Sequence, residues 1–485
     1  MNMNDAPDAM RSTLAGLESI LAAQRAAHAA DPNPDARQRL DRLHRLATMT
    51  EQHGAELVQA IQADFGHRSA HETRLTDLLM VGTAIRHAAR HLPTWMKTRR
   101  AKTALHYLPG RNRLMRQPLG VVGILSPWNY PYQLAMGPAI AAIAAGNRVM
   151  IKPSEYTPRF SALLVRIVAA HFAPEELAVV TGGLEVGQAF SALPFDHLFF
   201  TGSTAAGRQV AMAAAHNLTA VTLELGGKSP AIIDPSANLT AAARSIVFGK
   251  LLNAGQTCIA PDYVLVPHAQ RDAFVHALSR AARQMYGESG ANPDYTAIIS
   301  ERHFSRLQTL VDDALAQGAT AQRPTFCATP DDAPTGHARK FPPTLLLDVR
   351  PDMRVMQEEI FGPVLPIVSY SGDVDEAIAF VNERDRPLAL YWYGTHTSHR
   401  DRVLERTVSG GVTVNDCIWH FGQESQPFGG VGASGMGAYH GEWGFRTFSK
   451  EKPVFLQAPV NGIGLLYPPY GKTFERMVRM LKAIA

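Results

Sequence analysis

The chain has 485 residues, 46% hydrophobic and 19% charged, a balance ordinary for a soluble globular enzyme and, at this length, one that asks for two or three domains. The formal charge of +4 is a small difference between 47 basic and 43 acidic side chains, and no dense basic stripe of the kind that binds nucleic acid occurs. Cys258, Cys327 and Cys417 offer neither a disulfide framework nor a CxxC pair, and the nineteen histidines show no HExxH or zinc-like spacing, so no metal centre is expected and a reducing cytoplasm fits.

No secretory leader is expected, because Asp5, Asp8, Arg11, Glu18 and Arg25 interrupt any apolar run near the start. Residues 10 to 98 read as helices: Leu40, Leu43, Leu46 and Met49 recur at helical spacing, as do Leu57, Ile61 and Phe65. A short strand pair is expected across Leu105 to Gln117, turned by Pro109-Gly110-Arg111-Asn112. Short apolar strands then alternate with helices. Strands fall at Val121 to Leu125, Arg148 to Ile151, Leu177 to Val180 and His197 to Thr201, and helices at Pro158 to Phe172 and after Ser203. The apolar run Leu134 to Gly146 is too short to span a bilayer and reads as a buried core helix. A second alternating stretch is expected from near Ala241 to about Val414, with a surface loop over the proline-rich Arg323 to Pro343. Such alternation predicts an α/β chain whose parallel sheet is covered on both faces.

The motifs that carry chemistry lie at the ends of these strands. Asn129, in Ser126-Pro-Trp-Asn129-Tyr130-Pro, is either a turn former or a neutral donor for a developing oxyanion. Lys152 and Glu155, in Met150-Ile-Lys152-Pro-Ser-Glu155, form either a solvated ion pair or a clamp for a ribose. In the run Phe199 to Gly207, Gly202-Ser203 follows a strand and opens a helix, which aims free N–H groups at a phosphate or is simply an N-cap. Glu224, in Leu223-Glu224-Leu-Gly-Gly-Lys228, and Cys258, in Gly255-Gln-Thr-Cys258, pair a carboxylate with a thiol. The thiol suits attack on a carbonyl, and the carboxylate suits activation of the water that completes the reaction. A lone cysteine is more often a small buried hydrophobe; the company of the other motifs favours chemistry. Glu358-Glu359-Ile-Phe361-Gly-Pro and Pro427-Phe428-Gly-Gly diagnose nothing singly. Gly430-Val-Gly432-Ala-Ser-Gly435 matches GxGxxG literally, but without a βαβ unit around it reads as an active-site or interdomain loop.

Taken in order from about Leu119 to Phe448, these segments resemble the aldehyde dehydrogenase superfamily. Thr257-Cys258-Ile-Ala-Pro-Asp262, the stretch Phe428 to Gly441 and the tail Tyr467-Pro-Pro-Tyr470-Gly-Lys resemble its class 3 branch and the bacterial coniferyl aldehyde dehydrogenases. The resemblance implies a doubly wound cofactor domain (1–104 and 118–226, with the helical N-terminus), a second α/β catalytic domain (227–430), and a bridging arm (105–117 and 446–458) ahead of a tail helix (459–485). It implies that an aldehyde is oxidised to its acid by NAD or NADP, through a thiohemiacetal and a thioester on Cys258. Asn129 and the Cys258 N–H would hold the oxyanion, and Glu224 would direct the thioester to water rather than to coenzyme A. Lys152 and Glu155 would bind the adenosine ribose, with Gly202, Ser203 and Gly207 at the pyrophosphate and Glu359 and Phe361 at the nicotinamide ribose. A Glu155 carboxylate on the ribose disfavours a 2′-phosphate, so NAD comes first, although class 3 relatives can use both.

Tyr130, Trp419, Phe421 and Phe428 fall in loops that line the family's substrate tunnel, which implies an aromatic, coniferaldehyde-like substrate; some of them can equally pack the core. Medium- or long-chain aliphatic aldehydes are the alternative, and a cofactor-independent cysteine esterase is the rival in another class. A two-stranded arm is marginal alone, so a homodimer is expected. In the tail, Phe474, Met477, Val478 and Leu481 form one stripe with Lys472, Arg476, Arg479 and Lys482 mostly off it. Such a helix packs on the subunit or its partner, or lies on a membrane surface; packing is favoured because only one short apolar stripe is available.

Overall fold

A computed structural model of the chain describes residues 8–287, 292–324 and 339–484. Cys327 and most of the expected proline-rich loop, 325–338, lie outside the described residues. The first helices run Asp8–Ala30, Ala36–Gln52, Gly54–Phe65 and Met80–Trp95. Asp35 and Gln38 close the second at its start by exchanging side-chain and backbone hydrogen bonds, which satisfies two otherwise orphaned N–H groups. Leu43, Leu46, Met49, Leu57, Ile61 and Phe65 are buried, as their spacing predicts. A π-helical turn, Arg74–Leu79, leads into the fourth helix.

Strand β1 (Arg99–Ala101) pairs antiparallel with β2 (Arg111–Pro118) in the register Arg99↔Leu114. This corrects the expected Leu105-to-Gln117 hairpin. Leu105–Tyr107 is a 3-10 turn closed by Tyr107 N–H on the Ala104 carbonyl, and Pro109 has no N–H to give a ladder there.

Five strands follow: β3 (Val121–Leu125), β4 (Arg148–Lys152), β5 (Leu177–Val179), β6 (His197–Thr201) and β7 (Ala220–Glu224), all parallel in the order 7-6-3-4-5. Every residue of β3 and β4 is buried, the mark of a sheet covered on both faces. The apolar helix Pro131–Ala144 behind them is buried almost throughout, as expected of a core helix. Chain order reverses between β3 and β6, so a crevice opens beyond their carboxyl ends.

The second sheet comprises β8 (Pro230–Ile233), β9 (Tyr263–Pro267), β10 (Thr320–Gln322), β11 (Thr344–Leu347), β12 (Val364–Tyr370), β13 (Ala389–Tyr393) and β14 (Gly411–Val414), in the order 10-11-12-9-8-13-14. It begins at Pro230 rather than near Ala241, because the four apolar residues of β8 follow the glycine-lysine motif almost without a turn. Two strands then return: β15 (Gly435–Met436) pairs with β7, and β16 (Ser449–Leu456) pairs with β2 along its whole length. The helix Lys472–Ile484 rests on the turns at Ile463–Leu466 and Leu105–Tyr107, with its apolar stripe half-buried and its basic residues exposed. No helix among the described residues is long and apolar enough to cross a membrane.

Candidate active site

Ser126–Tyr130 follows β3 and Gly202-Ser203 follows β6, so the two turns flank the reversal point of the first sheet. Glu224 is the last residue of β7, opposite Thr201 on one side and Gly435 on the other, and its carbonyl accepts the Gly202 N–H at 3.0 Å. The loop rejected as a dinucleotide fingerprint thus forms an edge beside Glu224. Both carboxylate oxygens of Glu224 are buried without a hydrogen-bond partner, and burial holds the carboxyl well above the usual carboxylate range.

Cys258 sits on a loop that the surrounding chain forces into shape. Asn253, Ala254 and Gly255 are successive left-handed residues (φ 53, 52 and 74°), and a Cβ on Gly255 would lie 2.3 Å from the Gly362 carbonyl oxygen. Gln256, fully buried, holds the loop: its Nε2 donates to the Asn253 and Ala297 carbonyls, and its Oε1 accepts the Ile299 N–H. Asn129 is tied to the same loop, its Nδ2 donating to the Gln256 carbonyl at 3.1 Å while its own carbonyl accepts from Asn253 Nδ2 and Arg68. The backbone clamp therefore leaves the second Asn129 N–H unused.

Three groups of this clamp escaped the sequence reading. Arg68 and Asp77 form a 3.0 Å ion pair with both side chains wholly buried; Asp77 also accepts the Tyr132 and Gln133 N–H groups that open the core helix. Glu72 accepts from Asn253 N–H and Thr296 Oγ1, and burial pushes its carboxyl up to about 7. These residues lie in an unremarkable polar stretch, and only the fold brings it under the cysteine loop. Arg68→Ala should cost about 3–5 kcal/mol of unfolding free energy, because it strands a buried carboxylate. Urea unfolding reads this directly; a change under about 1 kcal/mol would remove the pair from the stability of the site.

Lys228 joins three motifs. Its ammonium pairs with Asp262 and donates to the Val355 and Glu358 carbonyls, while Asp262 accepts the Ile360 N–H. Beside them Lys250 Nζ is buried without a partner, and burial lowers it to about 8. A lysine in the apolar run Ile246 to Leu252 was the one sequence signal for it. Glu359 presses onto the glycine pair: a Cβ on Gly226 would lie 1.9 Å from its Oε2. Burial and, second, nearby Asp262 push the Glu359 carboxyl up to about 8.

Burial, then the Glu359 and Glu224 carboxylates, push Cys258 up to about 12. The side chain is half-exposed by area, but what it faces is a cavity walled by protein. Iodoacetamide alkylation of Cys258, taken as the part lost in Cys258→Ala, should therefore rise about tenfold per pH unit from neutrality to about pH 10. A plateau near neutral pH would show a thiolate already formed.

That cavity is a tunnel with Cys258 in its wall. Tyr130 and Trp419 line it, with the Tyr130 hydroxyl 2.6 Å from Thr257 Oγ1 and the Trp419 ring stacked on Phe248. Leu75 and Thr76 of the π-helical turn and Met80 beyond it form the opposite wall, which no local pattern announced. Phe428 does not line the tunnel. It is buried behind Phe421, at 4.7 Å between ring centres, and stacks on His440, because its backbone is bridged to Tyr439.

Of the predicted cofactor residues, Glu155 and Glu359 line two separate hollows. Lys152 Nζ is buried except for its 3.1 Å contact with exposed Glu155, at the rim of a hollow shared with Ser154, Thr181 and Gly182. Ser203 caps the helix Thr204–Ala215 by accepting Ala206 N–H, and a Cβ on Gly207 would lie 2.6 Å from Leu225, so that glycine lets the helix close on the sheet. A cleft runs past Thr204, Gly226, Gly227, Lys228 and Glu359. Phe361, at φ 51°, packs edge-on against Trp128. Buried Lys152, the open helix start and the glycine pair under Glu359 fit a dinucleotide in charge and in space.

Residues 8–454 match the aldehyde dehydrogenase family. A probable coniferyl aldehyde dehydrogenase of Pseudomonas aeruginosa is 49% identical over 465 residues, covering 96% of both chains. Among solved structures, the substrate-bound state of Staphylococcus aureus AldH superposes with a TM-score of 0.89 at 37% identity, over 96% of this chain and 99% of that one. A Mycobacterium tuberculosis aldehyde dehydrogenase complexed with NAD+ has a TM-score of 0.81 at 29% identity, over 92% and 90%.

Proposed function

The chain belongs to the aldehyde dehydrogenase family, and on that premise we propose that it oxidises aromatic aldehydes of the coniferaldehyde class to their carboxylic acids. The observation that carries the reading is a buried, unpartnered Glu224 carboxylate whose charge reaches the Cys258 thiol, with Cys258 in the wall of a tunnel that Tyr130 and Trp419 also line.

The Cys258 thiol loses its proton to solvent water and its sulfur attacks the carbonyl carbon. The S–C bond forms, and the carbonyl π pair moves to oxygen, where the free Asn129 N–H and the Cys258 N–H hold the negative charge. A bound oxidised nicotinamide supplies the hydride acceptor. Loss of that hydride from carbon leaves the acyl group on Cys258 as a thioester. Glu224 then takes a proton from water, whose oxygen adds to the acyl carbon. The C–S bond breaks, the thiolate departs and the acid is released.

Lys152 and Glu155 hold the adenosine ribose, Gly202 and Ser203 with the helix they open meet the pyrophosphate near Gly207, and Glu359 and Phe361 hold the nicotinamide ribose. The exposed Glu155 carboxylate repels a 2′-phosphate, so NAD is preferred over NADP. The chain divides into a cofactor domain (1–104 with 118–226), a catalytic domain (227–430), an arm (105–117 with 446–458) and a tail (459–485). The five parallel strands β3–β7 and the second sheet support the first two, while β1 on the arm's sheet and β15 on the first sheet cross the boundaries. The chain works in the cytoplasm as a homodimer joined through the arm, whose outer strand β16 leaves an edge open with Phe455 44% exposed. Sedimentation at micromolar concentration should find a dimer; a monomer would remove the arm as an interface.

The apolar wall made by Leu75, Met80 and Leu134 favours a second reading, the same chemistry on long aliphatic aldehydes. NADH formation across a panel from short aliphatic aldehydes to coniferaldehyde, run with NAD and NADP, decides. A kcat/KM maximum at the aromatic members supports the proposal; a maximum at long aliphatics keeps the chemistry and rejects the substrate class. No reduction with any aldehyde, but ester cleavage that needs Cys258, would reject both.

A further inference from the structure

Asp234 directly follows β8, His396 caps the helix Thr397–Arg406 (which follows β13), and His399 lies in its first turn. The parallel pairing of β8 with β13 brings the three together. His399 Nδ1 is 2.6 Å from Asp234 Oδ2 and His396 Nδ1 is 3.1 Å from Oδ1, and one donor atom from each residue lies within 4.8 Å of the other two. We propose that Asp234, His396 and His399 form a surface site for a borderline divalent transition ion of the Zn²⁺ type.

The donor set is two imidazoles and one carboxylate, which suits such ions better than Mg²⁺ or Ca²⁺. A tetrahedral ion at ordinary Zn–N and Zn–O lengths separates its ligands by about 3.3 Å, so small side-chain rotations suffice from donor atoms already within 4.8 Å of one another. The carboxylate is oriented before any ion arrives. Asp234 is 1% exposed, and its Oδ1 accepts both the N–H and the hydroxyl of Ser236. The Ser236 oxygen in turn accepts the Thr395 and His396 N–H groups, which fixes the direction of its own hydrogen. Gly394 has no room for a side chain against Asp234, where a Cβ would approach to 2.7 Å. His396 is exposed and His399 partly so, which gives an ion access and leaves a fourth position for water.

Without an ion, each imidazole can donate its Nδ1–H to the carboxylate. An ion takes the Nδ1 lone pair of each neutral imidazole, whose one ring proton then sits on Nε2. Asp234 lies at the carboxyl end of β8, whereas Gly226–Lys228 lead into its amino end. The site thus stands at the opposite end of β8 from the cleft that Gly226–Lys228 line. An ion there clips the helix Thr397–Arg406 to the ends of β8 and β13.

Zinc also binds reactive thiols, so the test starts from full-length Cys258→Ala. Titration with Zn²⁺ against a chromophoric chelator should find one tight equivalent per chain, accompanied by a rise in melting temperature. Adding His396→Ala and His399→Ala should remove both the equivalent and the rise. The two histidine substitutions on the native Cys258 background should leave kcat within about twofold, since neither residue lines the tunnel. His399→Gln, which keeps a neutral hydrogen-bonding side chain at that position, should lose the equivalent while unfolding at the wild-type temperature. Absence of the equivalent from Cys258→Ala, or its survival in the chain lacking both histidines, overturns the site.

Discussion

Cys258→Ala is expected to lose aldehyde oxidation by about five to six orders of magnitude in kcat, with its melting temperature close to that of the native chain. Alanine keeps the backbone, and the strained run Asn253–Gly255 is held by Gln256, Glu72 and Asn129 rather than by the sulfur. The loss is therefore chemical. Without a thiolate no S–C bond forms, and the Asn129 and Cys258-position N–H groups have no tetrahedral oxyanion to hold. Paired measurement of NADH formation and thermal unfolding checks the assignment. Retention of more than about a hundredth of native turnover, with the fold intact, would assign the covalent step to another residue.

Glu224→Gln should separate the two halves of the reaction. One equivalent of NADH per active site should form in a rapid burst, followed by a steady state about 10²- to 10⁴-fold slower, because only the attack of water needs the carboxylate. The raised position of Glu224 sets the sign of the pH dependence. A base works deprotonated, so native deacylation falls as pH drops through the Glu224 titration, and that acid limb should vanish in the glutamine enzyme. Stability moves the other way. A carboxyl whose pKa is raised by folding contributes most below its unfolded value and loses that contribution as pH rises through the folded one. A neutral amide of the same shape escapes this penalty, so Glu224→Gln should be at least as stable as the native chain at neutral and higher pH. A full-rate steady state without a burst would remove Glu224 from the mechanism.

The first sheet was legible because each strand is a short apolar run ended by glycine, proline or a polar turn, as at Val121 to Leu125 and His197 to Thr201. The buried helix at Pro131–Ala144 was legible for the same reason. The arm was half legible. Its strand β2 was foreseen, but the partner β1 carries Arg99 and Arg100, both exposed, and gave no alternation to read. Phe428 misled because an aromatic beside glycines reads alike whether it faces a tunnel or a core; its bridge to Tyr439 decides which. His396 and His399 passed unnoticed because their third companion, Asp234, is brought in by the pairing of β8 with β13 and not by spacing.

The sequence by itself determined the α/β class, the order of the motifs and the family, because strand period, turn residues and glycine positions are local properties of the chain. Only the tertiary structure decided how these motifs bear on one another. Lys228 welds the glycine motif to the Asp262 and Glu358 loops, Arg68 and Glu72 brace the Cys258 loop from the N-terminal helices, and a π-helical turn walls the tunnel. It also set the acidity of Cys258, Glu224 and Glu359, since a titrating group answers to burial and to charges that reach it through space, whatever their distance along the chain.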